Sequence, residues 1–317
     1  MSFKAKWLTM ECGIPTEAIE RYIDEQIFTL PGVAEPREAF SVLLTGSRAT
    51  DTLTPRSDVD IDVVCPRTVC DSVQCAALSE GRIKTTAESF YILPGDDWHR
   101  YFGKELGRPH FSLTPLEEVA RQFAEYDDIP IWIWTHAKVI HDPGAQFARV
   151  LETFTGYPRD VLVRKIKYHW LLAAYWGIDV FPHHHTNENE LLPAAMGLLN
   201  AVNELLRFFF LVEGKPFPYT EKLTRFAPST KLGGEFMPFL RRVVDLAVGR
   251  EKTETDAWTR LHEAFRLLFE SEHSAECRRL EKACADAMLA AGVEPAWVEA
   301  DYRNINELLT GKLGPMP

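Results

Sequence analysis

The sequence offers little cysteine chemistry. Its six cysteines, Cys12, Cys65, Cys70, Cys75, Cys277 and Cys284, form no Cys-x-x-Cys pair, which argues against a zinc site. No uninterrupted apolar run reaches the roughly 20 residues of a membrane helix, so no span is predicted. The opening stretch, MSFKAKWLTMEC, lacks the apolar core of a signal peptide. The expected location is therefore the cytoplasm, where thiols stay reduced. Positive charge is in deficit: 35 Lys and Arg stand against 46 Asp and Glu, for a net charge of −11. That balance disfavours broad attraction to nucleic acid or to an anionic membrane. It leaves open a local basic groove, for which Arg241-Arg242 and Arg278-Arg279 are the visible candidates. Internal repeats and low-complexity tracts are also absent.

What remains is an ordinary core-forming composition, 46% hydrophobic and 26% charged, over 317 residues. Single cores stop growing near 250–300 residues, so two domains are expected. The patterns divide accordingly. Residues 15–30 carry Ile19, Ile23, Ile27 and Leu30 at helical spacing. Strands are predicted at 39–45, 58–64, 83–93 and 110–114, with helices at 66–78 and from Pro115 to Tyr126. Over 129–142 a short helix is expected, then a strand at Lys138–His141. From Pro158 onward only amphipathic helices fit, at 158–177, 188–213, 235–248, 254–271, 275–291 and 295–309. The reading is α+β: a mixed-sheet domain, 1–156, followed by a helical bundle, 157–317.

Chemistry concentrates between Leu43 and Val64, LLTGSRATDTLTPRSDVDIDVV. Asp58, Asp60 and Asp62 sit two apart on the predicted strand and so share one face, about 6–7 Å from one another. Three like charges so close need either water or a cation. The preceding strand ends in Gly46-Ser47. Glycine allows close backbone approach, and exposed N–H groups with the Ser47 hydroxyl can hold phosphate oxygens. If the two strands are neighbours, turn and acids face one pocket. Mg²⁺ suits such a pocket, because it takes few carboxylates and completes its shell with substrate phosphate.

Gly46-Ser47, a loop, and then Ser57-Asp58-Val59-Asp60 resembles the motif of the nucleotidyltransferase superfamily related to DNA polymerase β. Antibiotic nucleotidyltransferases acting on aminoglycosides and lincosamides share that motif. The resemblance implies that Asp58 and Asp60 ligate catalytic metal and that Gly46 and Ser47 contact a nucleoside triphosphate. Arg48 and Arg56 flank the same pocket as candidate phosphate contacts. Such enzymes usually carry a third acid on a later strand; Glu88 is the candidate, with Asp62 one step deeper on its own strand. The strand at 110–114 offers His110 and Ser112 but no acid. A second, looser likeness covers Asn200, Asn203 and Glu204 on a helix, then KPFPYTEKL. It implies that Lys222 reaches the triphosphate, although an extra residue precedes the lysine and the usual tryptophan is absent.

The expected activity is Mg²⁺-dependent transfer of a nucleoside monophosphate, with ATP or another NTP as donor, to an acceptor hydroxyl. A cationic small molecule such as an aminoglycoside would suit the acidic chain. The alternatives are a protein side chain or a tRNA end as acceptor, and a non-catalytic binding module of the same fold. Acceptor identity and oligomeric state are not encoded in any recognisable pattern. The run His183-His184-His185 is not expected to bind metal, because consecutive histidines cannot all face one ion.

Overall fold

The computed structural model describes residues 16–26, 28–29, 37–52, 57–81, 90–91, 99–102, 109–187, 190–250 and 255–313. The chain divides into two compact units, Met1–Thr155 and Gly156–Pro317. The fold is α+β, with a mixed sheet in the first unit and helices in the second.

In chain order the first unit contains α1 (Thr16–Gln26), β1 (Ser41–Leu44), the single turn α2 (Gly46–Ala49), β2 (Val59–Cys65) and α3 (Arg67–Ser79). There follow β3 (Phe90–Tyr91), α4 (His99–Phe102), β4 (Pro109–Pro115), α5 (Leu116–Ala124), α6 (Asp128–His136), β5 (Lys138–His141) and α7 (Gln146–Glu152). The described strands form one sheet in the order β3-β4-β2-β1-β5. β1 pairs antiparallel with β2, whereas β2 and β4 run parallel. Of the strand expected at 83–93, Phe90–Tyr91 is seen as strand; 82–89 lie outside the described residues.

Alternation along the strands builds two cores. Val42, Leu44, Val59, Ile61, Val63 and Cys65 face a cluster with Tyr22 and Ile23 of α1, Val69, Cys70 and Val73 of α3, and Tyr101 and Phe102 of α4. On the opposite face Leu43 and Val64 pack against Val119, Phe123, Ile131, Trp134 and Phe147 from α5, α6 and α7. Val64 shares its face with Asp58, Asp60 and Asp62. The helices thus cover one end of that face with apolar contacts, and the acids occupy the rest.

The second unit contains α8 (Arg159–Ala174), α9 (Leu191–Leu211), α10 (Thr220–Phe226), α11 (Lys231–Ala247), α12 (Ala257–Phe269), α13 (Ala275–Ala290), α14 (Pro295–Ala300) and α15 (Ile305–Leu309). By length and apolar content alone α9 is able to cross a membrane, but 67% of its most apolar window is buried within the protein. Its Glu204 is buried and hydrogen-bonded to His169 of α8, so α9 is built as a core helix.

Two departures from the sequence pattern have a visible cause. α11 begins at Lys231, not 235, because Thr230 caps it by accepting the Gly233 N–H. A Cβ at Gly233 would lie 1.9 Å from the Ala227 carbonyl oxygen, so the glycine is set by close packing there. The helix expected over 295–309 is broken at Asp301, which takes φ +47 while its carboxylate accepts from the Trp170 indole N–H at 2.9 Å. The π-helical turns at Tyr175–Val180 and His183–Asn187 have no signature in the sequence pattern. His185 stacks between Phe181 and His262, so this member of the histidine run packs among aromatic rings.

Candidate functional site

β1 delivers the chain into the site. Thr45 is extended and donates its N–H to the Asp60 carbonyl at 2.9 Å. Gly46 then turns at φ +65 and opens α2. A Cβ on Gly46 would sit 2.0 Å from Asp60 Oδ2, so the carboxylate occupies the space that a side chain would need. Glycine is required here twice over, by conformation and by contact. The turn is tied down by the Thr50 hydroxyl, which donates to the Gly46 carbonyl at 2.9 Å, and by the Thr52 N–H, which donates to the Ser47 carbonyl at 2.9 Å. The Ser47 side chain is half-buried at the turn.

The three aspartates differ in depth. The side chains of Asp58 and Asp60 are 47% and 32% exposed, whereas Asp62 is only 8% exposed. Asp62 Oδ2 accepts from the Thr45 hydroxyl at 2.7 Å, and Ser112 of β4 is a second hydrogen-bond partner. Burial pushes the Asp62 carboxyl up to about 6; the two hydroxyls oppose that rise and the Asp60 charge adds to it. Asp62 is thus set beyond the open end of the row, as a brace between β1, β2 and β4.

β4 runs parallel to β2 with Asp60 opposite His110 and Asp62 opposite Ser112. His110 Nδ1 lies 3.8 Å from Asp58 Oδ2 and 3.7 Å from Asp60 Oδ1. An imidazole therefore stands beside the pair of carboxylates. The pattern of β4 alone gave no sign of this, because the pairing joins residues 50 apart in sequence.

Arg48 is turned inward. It is 6% exposed, and its Nε donates to the Asp58 carbonyl at 3.2 Å. That bond holds the backbone entering β2, and so holds Asp58 in place. Glu88 and Arg56 lie outside the described residues. Lys222 is in the second unit, the third residue of α10, half-buried.

Among the described residues no three His, Cys, Asp or Glu side chains are gathered into a ready metal cage. The donor set at the open end is two half-exposed carboxylates, a set that suits Mg²⁺, which takes one or two carboxylates and relies on water and substrate phosphate for the rest.

The Asp62 carboxyl carries a pH prediction for the metal-free protein. Its folded value of about 6 lies above the unfolded value near 3.8, so the native state holds a proton that the unfolded chain has already lost. The stabilisation is complete below about pH 4 and disappears as pH rises through about 6, by on the order of 3 kcal/mol. Urea titrations in chelator should show this fall in the wild type and a flatter profile in Asp62→Asn. Identical profiles would refute the assignment.

The second unit holds a buried charge cluster of its own. His169 Nδ1 and Glu204 Oε2 are 2.6 Å apart, and Arg207 donates to Glu204 Oε1 at 2.8 Å. Arg207 lies over the Phe217 ring, 5.4 Å from its centroid, and reaches the Thr220 hydroxyl at 3.4 Å. The cluster thus ties α8 and α9 to the start of α10. Glu204 stands out in the sequence; its partner His169, 35 residues earlier, does not.

Residues 125–222 match the family described as a domain of unknown function, DUF4037. That match covers less than half of the chain; it includes His169, Glu204 and Arg207 and does not reach Gly46 or the aspartates. No curated protein matches the chain. The structure is similar to the crystal structure of a nucleotidyltransferase-like protein from Exiguobacterium sibiricum 255-15. The identity is 11%, the coverage 87% of this chain and 77% of that one, and the TM-score 0.44.

Proposed function

We propose that this protein is a Mg²⁺-dependent nucleotidyltransferase, moving a nucleoside monophosphate from a nucleoside triphosphate, with ATP the expected donor, to an acceptor hydroxyl. The observation that carries this reading is the fit of Gly46 against Asp60, with Asp58 beside it at the half-exposed end of β2. A glycine turn and a pair of half-exposed carboxylates meet at one corner of the sheet.

In this reading Asp58 and Asp60 hold the ion, and Ser47 offers its hydroxyl to the triphosphate. Bound there, Mg²⁺ supplies charge neutralisation at the phosphates and favours loss of the acceptor proton. Arg48 keeps Asp58 at its station through the backbone, and Asp62 fixes the spacing of β1, β2 and β4. The acceptor oxygen forms a bond to the α-phosphorus as the bond from that phosphorus to the bridging oxygen breaks. Pyrophosphate leaves with that oxygen.

Label position tests the reaction class. With an extract as acceptor pool, label in the α-phosphate should move to a new product, one equivalent of pyrophosphate appearing per transfer. Movement of γ-label with no pyrophosphate would mean phosphoryl transfer. No movement of either label, with every acceptor pool, would favour a binding module and overturn the proposal.

A further inference from the structure

Two thiols meet where β2 ends and α3 begins, and the reading above uses neither. Cys65 closes β2, and Cys70 is the fourth residue of α3. Both lie in the core between the sheet and α3, 0% and 1% exposed, out of reach of bulky reagents. Their sulfurs stand 3.1 Å apart. A disulfide bond is about 2.05 Å long, so about 1 Å of movement separates the two thiols from one. The backbone already holds the pair together. The Cys70 N–H donates to the Pro66 carbonyl at 3.0 Å, and Cys70 Sγ lies 3.6 Å from the Cys65 carbonyl oxygen. The two sulfurs are not equivalent. The Cys65 thiol, by hydrogen bonding to Cys70, holds Cys70 below the ordinary thiol value although burial opposes this. The same contact, with burial, pushes Cys65 up. Cys70 is therefore the nucleophile of the pair, since the thiolate is the reactive form.

We propose that Cys65 and Cys70 are a redox-active pair that closes to an intramolecular disulfide under hydrogen peroxide, tethering the strand of the three aspartates to α3. The proposal is independent of the reaction proposed above. The Cys70 thiolate attacks one peroxide oxygen. The O–O bond breaks, hydroxide leaves and takes up the Cys70 proton as water, and Cys70 becomes a sulfenic acid. The Cys65 sulfur then attacks the Cys70 sulfur. The S–S bond forms as the S–O bond breaks, and the Cys65 proton leaves in a second water. Two thiols lose two electrons and peroxide gains them; a dithiol reductant reverses the change. Closure at the sulfenic acid also spares Cys70 the irreversible steps that follow it.

The test treats the reduced full chain with hydrogen peroxide, quenches at intervals, alkylates under denaturing conditions and reads each cysteine by mass spectrometry. The peptide holding Cys65 and Cys70 should appear unalkylated at both and lighter by two hydrogens, and dithiothreitol should restore it. Cys277 and Cys284 are an internal reference, because they are buried in the second unit and burial pushes both thiols up. Free Cys65 and Cys70 should disappear at least about tenfold faster than free Cys277 and Cys284. Cys75→Ser, which removes the exposed thiol of α3, should leave the bond in place. The readouts need no substitution in the core, so a failure to fold cannot imitate a negative result. Loss of Cys65 and Cys70 no faster than the reference pair would overturn the proposal, as would sulfinic acid at Cys70 with Cys65 still free, or a bond to Cys12 or Cys75 in place of this one.

Discussion

Under the proposed reaction, Gly46→Ala is expected to lower nucleotidyl transfer at least a hundredfold, an effect separate from a stability loss of about 1–2 kcal/mol. The new methyl group would meet Asp60 Oδ2 at 2.0 Å and Asp60 Cγ at 2.9 Å. Asp60 is the movable partner, since its carboxylate ends a flexible side chain at the half-exposed end of β2. It would swing aside, and displacement of a reacting group by about 1 Å can cost a hundredfold in rate. The backbone cost is separate. Gly46 holds φ +65, where an alanine loses about 1–2 kcal/mol. Turnover and thermal unfolding measured on one preparation separate the two effects. Activity within tenfold of wild type would show that the carboxylate position is irrelevant to the reaction.

Glu204→Ala is the change expected to damage the helical unit most. It removes the acceptor of both His169 Nδ1 and Arg207 at the buried contact of α8 with α9. Breaking one side of a buried charged pair typically costs about 3–5 kcal/mol, because the remaining charge stays buried without its partner. Glu204→Gln keeps an acceptor oxygen and should lose less. Arg207 also holds the Thr220 hydroxyl at the first position of α10, so amide protection there should fall along with the stability of α8 and α9. Hydrogen exchange resolves this segment by segment, which one global unfolding curve of a two-unit chain cannot. Unchanged protection in α8, α9 and α10 would count against the cluster as a structural clamp.

Much of the first unit was legible because its signals are local. Alternation marks β2, and an apolar strand ending in Gly-Ser marks β1. A short helix within 129–142 and then a strand at Lys138–His141 were read from pattern alone, and the structure has α6 at Asp128–His136 and β5 at Lys138–His141. The depth of Asp62 also follows from its register, since it lies next to Val64 on the face that α5–α7 cover. Other features depend on contacts between distant residues and leave no local trace. His110 comes beside Asp58 and Asp60 only through the parallel pairing of β2 with β4. Arg48 reads as a candidate phosphate contact from its place after Gly-Ser; the sequence does not show that its side chain is buried with Nε donating to the Asp58 carbonyl. The break at Asp301 rests on a bond to Trp170, 131 residues away. The start of α11 was hidden because Gly233 and Gly234 look like helix breakers until the Thr230 cap and the Ala227 contact are seen.

The pair Asp58 and Asp60 carries the functional reading, and replacing both is its most direct measurement. Both side chains are half-exposed, so Asp58→Asn/Asp60→Asn should keep the helical and sheet signal of the wild type in circular dichroism. Pyrophosphate release from NTP with divalent metal should fall at least about a thousandfold, because the carboxylates proposed to hold the ion are gone. A folded double variant that retains a tenth or more of wild-type turnover would contradict the assignment of this corner of the sheet as the active site.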